Sequence, residues 1–178
     1  MFVDLKNSTS IAEELGHIRY SQFIQDCFFD LHVVEAYGAE VYQYVGDEVV
    51  LSWHGKPNID FTNCLHAFWA FEDKLRLREK DYLKKFGIAP SFKAGIHLGE
   101  VTAAEVGEIK REIAYHGDTM NVAARIQEKC NEFDSSLLVS EHFLNKVHVN
   151  GYFSAHLKGE ELLRGKAKTV QIYSLERN

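Results

Sequence analysis

The sequence has little of what would tie it to a disulfide-stapled, membrane-spanning or nucleic-acid-coating class. It carries only three cysteines, Cys27, Cys64 and Cys130, an odd number, widely spaced and without a CxxC step. That argues against a disulfide framework and a zinc knuckle, and reads as buried thiols of a reducing compartment. No apolar run is long enough to cross a bilayer. An excess of basic charge is also missing: the net charge is -6, so no nucleic-acid partner is expected. Internal repeats and low-complexity segments are absent too. What is there is a chain of 178 residues, 46% hydrophobic and 26% charged. That composition describes a globular chain, neither disordered nor fibrous, long enough for one domain with a substantial core.

The stretch Val41-Tyr42-Gln43-Tyr44-Val45-Gly46-Asp47-Glu48-Val49-Val50-Leu51 organises the reading. Two β-branched, aromatic-rich runs flank the Gly46-Asp47 step, which predicts a hairpin whose tight turn carries a carboxylate. A second acid, Asp4, lies between the apolar Met1-Phe2-Val3 and the helix-start signal Asn7-Ser8-Thr9. Two carboxylates fixed at strand ends suit a hard divalent cation, which takes oxygen ligands. Only three residues precede Asp4, short for a core strand. The expectation is therefore a single domain over 1–178, excised from a longer chain with a regulatory or membrane-anchoring region upstream.

Along the chain, Asn7 to Gly16 reads as a helix start and a glycine stop. Its first N–H groups either meet an ordinary cap or stand free for phosphate. From His17 to Tyr37, Ile18, Phe23, Ile24, Cys27, Phe28, Leu31 and Val34 recur at helical spacing, and Gly38 closes the segment. A turn at 55–58 follows the hairpin. A long helix is expected over 61–85, with Cys64, Leu65, Phe68, Phe71, Leu75 and Leu77 facing inward. Residues 91–101 predict a strand and turn, where Gly95 and Gly99 signal close backbone approach. His97 on that strand reads as a hydrogen-bonded core histidine before a ligand. A charged, exposed hairpin is expected over 106–115. The Gly117-Asp118-Thr119 turn then opens a helix whose Asn121 and Arg125, at i and i+4, share a face as either a plain surface pair or a working pair. Two short strands, 136–140 and 169–175, frame a short helix near 141–147, and a basic turn spans 163–168.

Taken together and in this order, the segments resemble a known family. Phe2-Val3-Asp4-Leu5-Lys6-Asn7-Ser8-Thr9 is similar to the first metal motif of class III nucleotidyl cyclases, and Val45-Gly46-Asp47 to the second. Gly95-Ile96-His97-Leu98-Gly99-Glu100-Val101 resembles their Gly-Ile-His-x-Gly strand. Gly117-Asp118-Thr119-Met120-Asn121-Val122-Ala123-Ala124-Arg125 resembles their transition-state helix. The resemblance implies an α+β, ferredoxin-like fold with a central, mostly antiparallel sheet flanked by helices. It implies conversion of a nucleoside triphosphate to a 3′,5′-cyclic nucleotide and pyrophosphate. Asp4, Asp47 and the Leu5 carbonyl would hold two Mg²⁺ or Mn²⁺ ions that activate the ribose 3′-hydroxyl and hold the triphosphate. Lys6, Asn7, Ser8 and Thr9 would lie along the substrate. Asn121 would orient the ribose, and Arg125 would stabilise charge on the α-phosphate. Arg164 matches the family's triphosphate-binding lysine, with the Lys158-Gly159 step as a competitor. In this family the site lies between two subunits, so a head-to-tail homodimer is implied, its catalytic domain on the cytoplasmic side.

The base pocket departs from the pattern. Gln43 stands where adenylate cyclases carry Lys and guanylate cyclases Glu, and Ala114 aligns with the partner position. Gln can donate and accept, while Ala offers no side-chain hydrogen bond, which moves selectivity to shape or to side chains such as Tyr115. A phosphate-binding arginine of the family aligns with Ile109, beside Lys110. ATP is the expected substrate, GTP the second and a pyrimidine triphosphate the third. A silent cyclase homology domain that binds nucleotide or dimerises is the rival of another class. A diguanylate cyclase relative is disfavoured, because its Gly-Gly-Asp/Glu-Glu-Phe signature is missing.

Overall fold

A computed structural model describes residues 1–54, 59–109, 111–148, 151–162 and 169–178. In chain order the elements are β1 (Phe2–Leu5), α1 (Ser8–Asp30), a 3₁₀ segment (Leu31–Tyr37), β2 (Glu40–Val45), β3 (Glu48–Ser52), α2 (Thr62–Leu77) and α3 (Glu79–Phe86). Then follow β4 (Phe92–Ile96), β5 (Thr102–Val106), β6 (Glu112–His116), α4 (Asp118–Glu128), β7 (Leu137–Ser140), α5 (Glu141–Leu144), β8 (Phe153–Leu162) and β9 (Thr169–Arg177). Two compact units result: Val3–Lys93, and Ala94–Asn178 with Met1–Phe2.

In the Val3–Lys93 unit the strands run β2-β3-β1. The expected hairpin forms: β2 and β3 pair antiparallel, Val45 opposite Glu48, and Gly46 turns the chain at φ 63. Only glycine adopts that left-handed geometry without Cβ strain. The 91–93 stretch adjoins β1 through Lys6 N–H donating to Ser91 O at 2.9 Å. The core is aromatic, with Phe23 edge-on to Tyr82 and Phe86, and Phe71 against Phe92.

The helices of this unit correct the periodicity reading at two places. Gly16, at φ 71, ψ 163, interrupts α1 where the glycine stop was expected, but the inward face read for the segment after it does not hold throughout. Ile18, expected inside, is 78% exposed. The long helix over 61–85 is two helices, broken at Arg78 (φ -99, ψ 8), and Leu77 is 83% exposed. The break coincides with an ion pair to a buried carboxylate. Arg78 Nη1 reaches both oxygens of the fully buried Asp30 at 2.9 Å, and the Tyr82 hydroxyl donates to the same carboxylate at 2.7 Å. An unpaired buried carboxylate would cost several kcal/mol, about 3–5, so this local geometry overrides the α2 stripe.

In the other unit the order is β4-β7-β9-β8, with β4 and β7 parallel and the later pairs antiparallel. The charged hairpin expected over 106–115 is the antiparallel pair β5–β6. Val122, Ile126, Cys130, Leu138 and Ile172, from α4, β7, β9 and the turn after α4, form a core cluster of this unit. Strand β8 was not anticipated. Its Phe-Ser-Ala-His-Leu-Lys-Gly-Glu-Glu-Leu sequence lacks β-branched residues, and it is a strand because it pairs with β9 from Phe153↔Arg177 to Leu162↔Thr169. The fold is α+β with a mostly antiparallel sheet, as expected. Among the described residues no helix is long and apolar enough to cross a membrane.

Candidate active site

Asp4 lies on β1 between Val3 and Leu5, both 1% exposed, so the alternation of the strand leaves its carboxylate half-buried at the edge of the core. Its Oδ2 pairs with Lys93 Nζ at 3.2 Å. Beyond Leu5 the chain turns through Asn7, which adopts φ 58, ψ 29, a left-handed conformation that asparagine tolerates better than most residues. Asn7 is the N-cap of α1, yet its side chain makes no cap bond; its carbonyl accepts from Ile11 N–H at 3.0 Å. The ordinary side-chain cap is thus not what α1 uses. Its first-turn N–H groups point with the positive end of the helix dipole, the arrangement that suits phosphate.

Asp47, half-buried on the hairpin turn, lines a cavity of about 530 Å³ together with Ser8, Thr9, Glu13, His17 and Tyr20. Tyr20 reports the local field. Its phenol is pushed up to about 12, first by burial and then by the negative charge of Asp47, with Asp4 adding a smaller push and a hydrogen bond with Ser8 opposing it. Both carboxylates therefore act on one phenol beside the α1 N-terminus. Their hard oxygens fit Mg²⁺ or Mn²⁺, and among the described residues no group of three or more His, Cys, Asp and Glu offers an alternative metal cage.

The other candidate residues are on the Ala94–Asn178 unit. On α4, Val122, Ala123 and Ile126 are buried, leaving Asn121 exposed and Arg125 half-buried. Two glycines set where this helix lies. A Cβ on Gly95 would collide with Gln127 N and sit 2.7 Å from Ala123 O, and one on Gly99 would collide with the Thr119 side chain. Thr119 Oγ1 in turn donates to Glu100 O at 2.7 Å, tying the first turn of α4 to the loop after β4. His97 is the core histidine expected: Nδ1 lies 2.8 Å from Ser140 Oγ, which also accepts from Phe143 N–H at 3.2 Å. Burial, with the nearby His142 adding to it, pushes His97 down to about 4.

Gln43 is exposed on β2, just past a bulge between Val41 and Gln43, and Ala114 is half-buried on β6 opposite Ala104. Asp4, Leu5, Lys6, Asn7, Ser8, Thr9, Gln43 and Asp47 thus share one unit, while Ala114, Asn121 and Arg125 share the other. Arg164, Lys110 and the turn at 55–58 lie outside the described residues. Lys158, the competing phosphate candidate, is exposed on β8 beside the bulge at Gly159. Two contributors escaped the sequence reading. Lys93 carried a signal, a lysine between Phe92 and Ala94 in an apolar strand, because a buried ammonium demands a partner. Tyr20 carried none.

Comparison of the whole chain with known proteins identifies its family. Residues 1–177 match the family model described as the adenylate and guanylate cyclase catalytic domain, and the chain belongs to that family. It is 28% identical to Adenylate cyclase 2 of Rhizobium meliloti over 98% of its own length and 48% of that protein's. It therefore spans less than half the length of that relative, and 36% of an adenylate cyclase of Anabaena cylindrica at 25% identity. In fold it is similar to the adenylyl cyclase CyaB from P. aeruginosa, with a TM-score of 0.82 at 18% identity, covering 99% of this chain and 92% of that one. It is also similar to a guanylate cyclase domain from Catenaria anguillulae solved with GTP, with a TM-score of 0.77 at 17% identity, covering 99% and 93%.

Proposed function

We propose that this chain is the catalytic part of a nucleotidyl cyclase that turns ATP into the 3′,5′-cyclic nucleotide and pyrophosphate for signalling. The observation that carries this reading is the cavity at the start of α1, where Asp47 on the hairpin turn faces Ser8 and Thr9 of the first helical turn. When bound at Asp4, Asp47 and the Leu5 carbonyl, Mg²⁺ or Mn²⁺ supplies Lewis acidity toward the 3′-hydroxyl and positive charge for the phosphates. The N–H groups of Ser8 and Thr9 at the start of α1, with Lys6 and Asn7 before them, cradle the triphosphate. Arg164 adds a bidentate fork at the far end of the phosphates. Asn121 orients the ribose for in-line attack on the α-phosphorus, and Arg125 stabilises the charge that grows there.

Two chains complete each site. The metal-bearing unit of one meets the α4 helix of the other in a head-to-tail homodimer with two equivalent sites. Strand β2 supports this: Val41, Tyr44 and Val45 are all exposed on the strand that leads to the second carboxylate. A nucleoside triphosphate substrate places the domain on the cytoplasmic side. The chain's short span relative to its relatives leaves room for regulatory or anchoring regions in the parent.

An assay with each of the four nucleoside triphosphates and Mn²⁺, at dimer-forming concentration, tests this reading. Cyclic AMP as the main product is expected. Preference for GTP would assign Gln43 and Tyr115 to the guanine edge, and preference for a pyrimidine would assign the pocket by shape. No cyclic product from any of the four would make this a silent homology domain.

A further inference from the structure

The least expected neighbour of the proposed metal site is a cation that the protein itself brings. Lys93 lies on β4 with its side chain 10% exposed, and its ammonium sits 3.2 Å from Oδ2 of Asp4, whose side chain is 22% exposed. Water screens such a pair poorly. Phe92 and Ala94 on either side are fully buried, so the backbone that carries Lys93 is held in the core.

We infer that Lys93 is a built-in competitor for the cation at Asp4, so that the nucleotide-free site binds divalent ions weakly. The inference rests on the proposed metal role of Asp4. Any ion joining Asp4 must share the carboxylate with Lys93 or push the ammonium aside. In either case a positive charge remains within a few ångströms of a dication in a poorly screened setting. Lysine suits this role because its charge is a compact point on a flexible stem, able to yield part of the carboxylate without unfolding the strand.

The test is the affinity of nucleotide-free protein for Mn²⁺, read from the spin-resonance signal of free Mn²⁺, in wild type and in Lys93→Met, Lys93→Gln, Lys93→Arg and Asp47→Ala. Both neutral variants should bind Mn²⁺ about tenfold tighter, the size of one unit charge removed at short range. The arginine variant, which keeps the charge, should stay near wild type. A merely structural lysine predicts the opposite sign, since losing it would loosen Asp4 and weaken binding. Neutral variants that bind no tighter than wild type, with Asp47→Ala still weakening binding, would overturn the inference and leave the metal reading standing. If Asp47→Ala binds Mn²⁺ as wild type does, the metal reading fails and this inference falls with it.

Discussion

Asp47 and His97 show how differently a polar side chain can be used in one fold. Asp47 sits on a turn, half-buried, where its charge is felt by Tyr20 and its removal costs little packing. Asp47→Ala is expected to abolish turnover while moving stability by no more than about 0.5 kcal/mol, as for ordinary surface changes. Cyclase activity and a thermal melt on the same sample check this, and retained turnover would remove Asp47 from the metal site. His97 is used for structure. Its pKa in the folded chain is about 4, against 6.5 for the free side chain, because burial penalises the imidazolium. Between those values the unfolded chain binds the extra proton, so stability is fully present above pH 6.5 and is lost as pH falls toward 4. Up to about 3 kcal/mol is at stake. Melts of wild type and His97→Gln from pH 7.5 to 4.5 should converge as pH falls; parallel curves would show that His97 does not titrate in this window.

At the next level up, glycines and a kink decide where helices lie. Helix α4 sits against β4 because Gly95 has no Cβ, and the backbone of Ala123 and Gln127 fills that space. Gly95→Ala would push α4 off the strand and displace Asn121 and Arg125 with it. A loss of about 1–3 kcal/mol is expected, the usual cost of overpacking a tight contact. Turnover should fall further than the melt suggests. Activity that tracks only the folded fraction would show that α4 tolerates the shift. Helix α1 makes the complementary point: Gly16 interrupts it, and this glycine lies one turn before Tyr20, so the kink is part of the wall that faces Asp47.

For the molecule as a whole, the candidate residues divide between two compact units, with the carboxylates on one and the Asn/Arg helix on the other. That division is what a shared-site dimer would use. Mixing Asp47→Ala chains with Arg125→Ala chains should therefore restore about a quarter of wild-type activity, the share expected when chains re-pair at random in a two-fold dimer and each mixed dimer keeps one intact site. Co-purification of the two variants carrying different affinity tags establishes that mixed dimers form. Mixed dimers without activity would count against a site shared across chains.

The candidate site residues could be picked out from the chain because the chemistry proposed for them restricts residue type over short spans. Asp4 before a helix start, Asp47 on a Gly turn, and Asn121 and Arg125 one helical turn apart are local patterns, and the hairpin they include forms as read. Partners distant in sequence were not legible. Lys93 meets Asp4 from 89 positions away, and Arg78 meets Asp30 from 48. The first pair sets a positive charge beside the proposed metal carboxylate, and the second accompanies the break that turns Leu77 outward. Strand β8 exists only through its pairing with β9. Local sequence sets turns, caps and periodicity through nearby backbone and side-chain preferences. The burial of a charge, the break in a helix and the pairing of an edge strand are settled by whatever lies opposite in space, and only the tertiary structure supplies that.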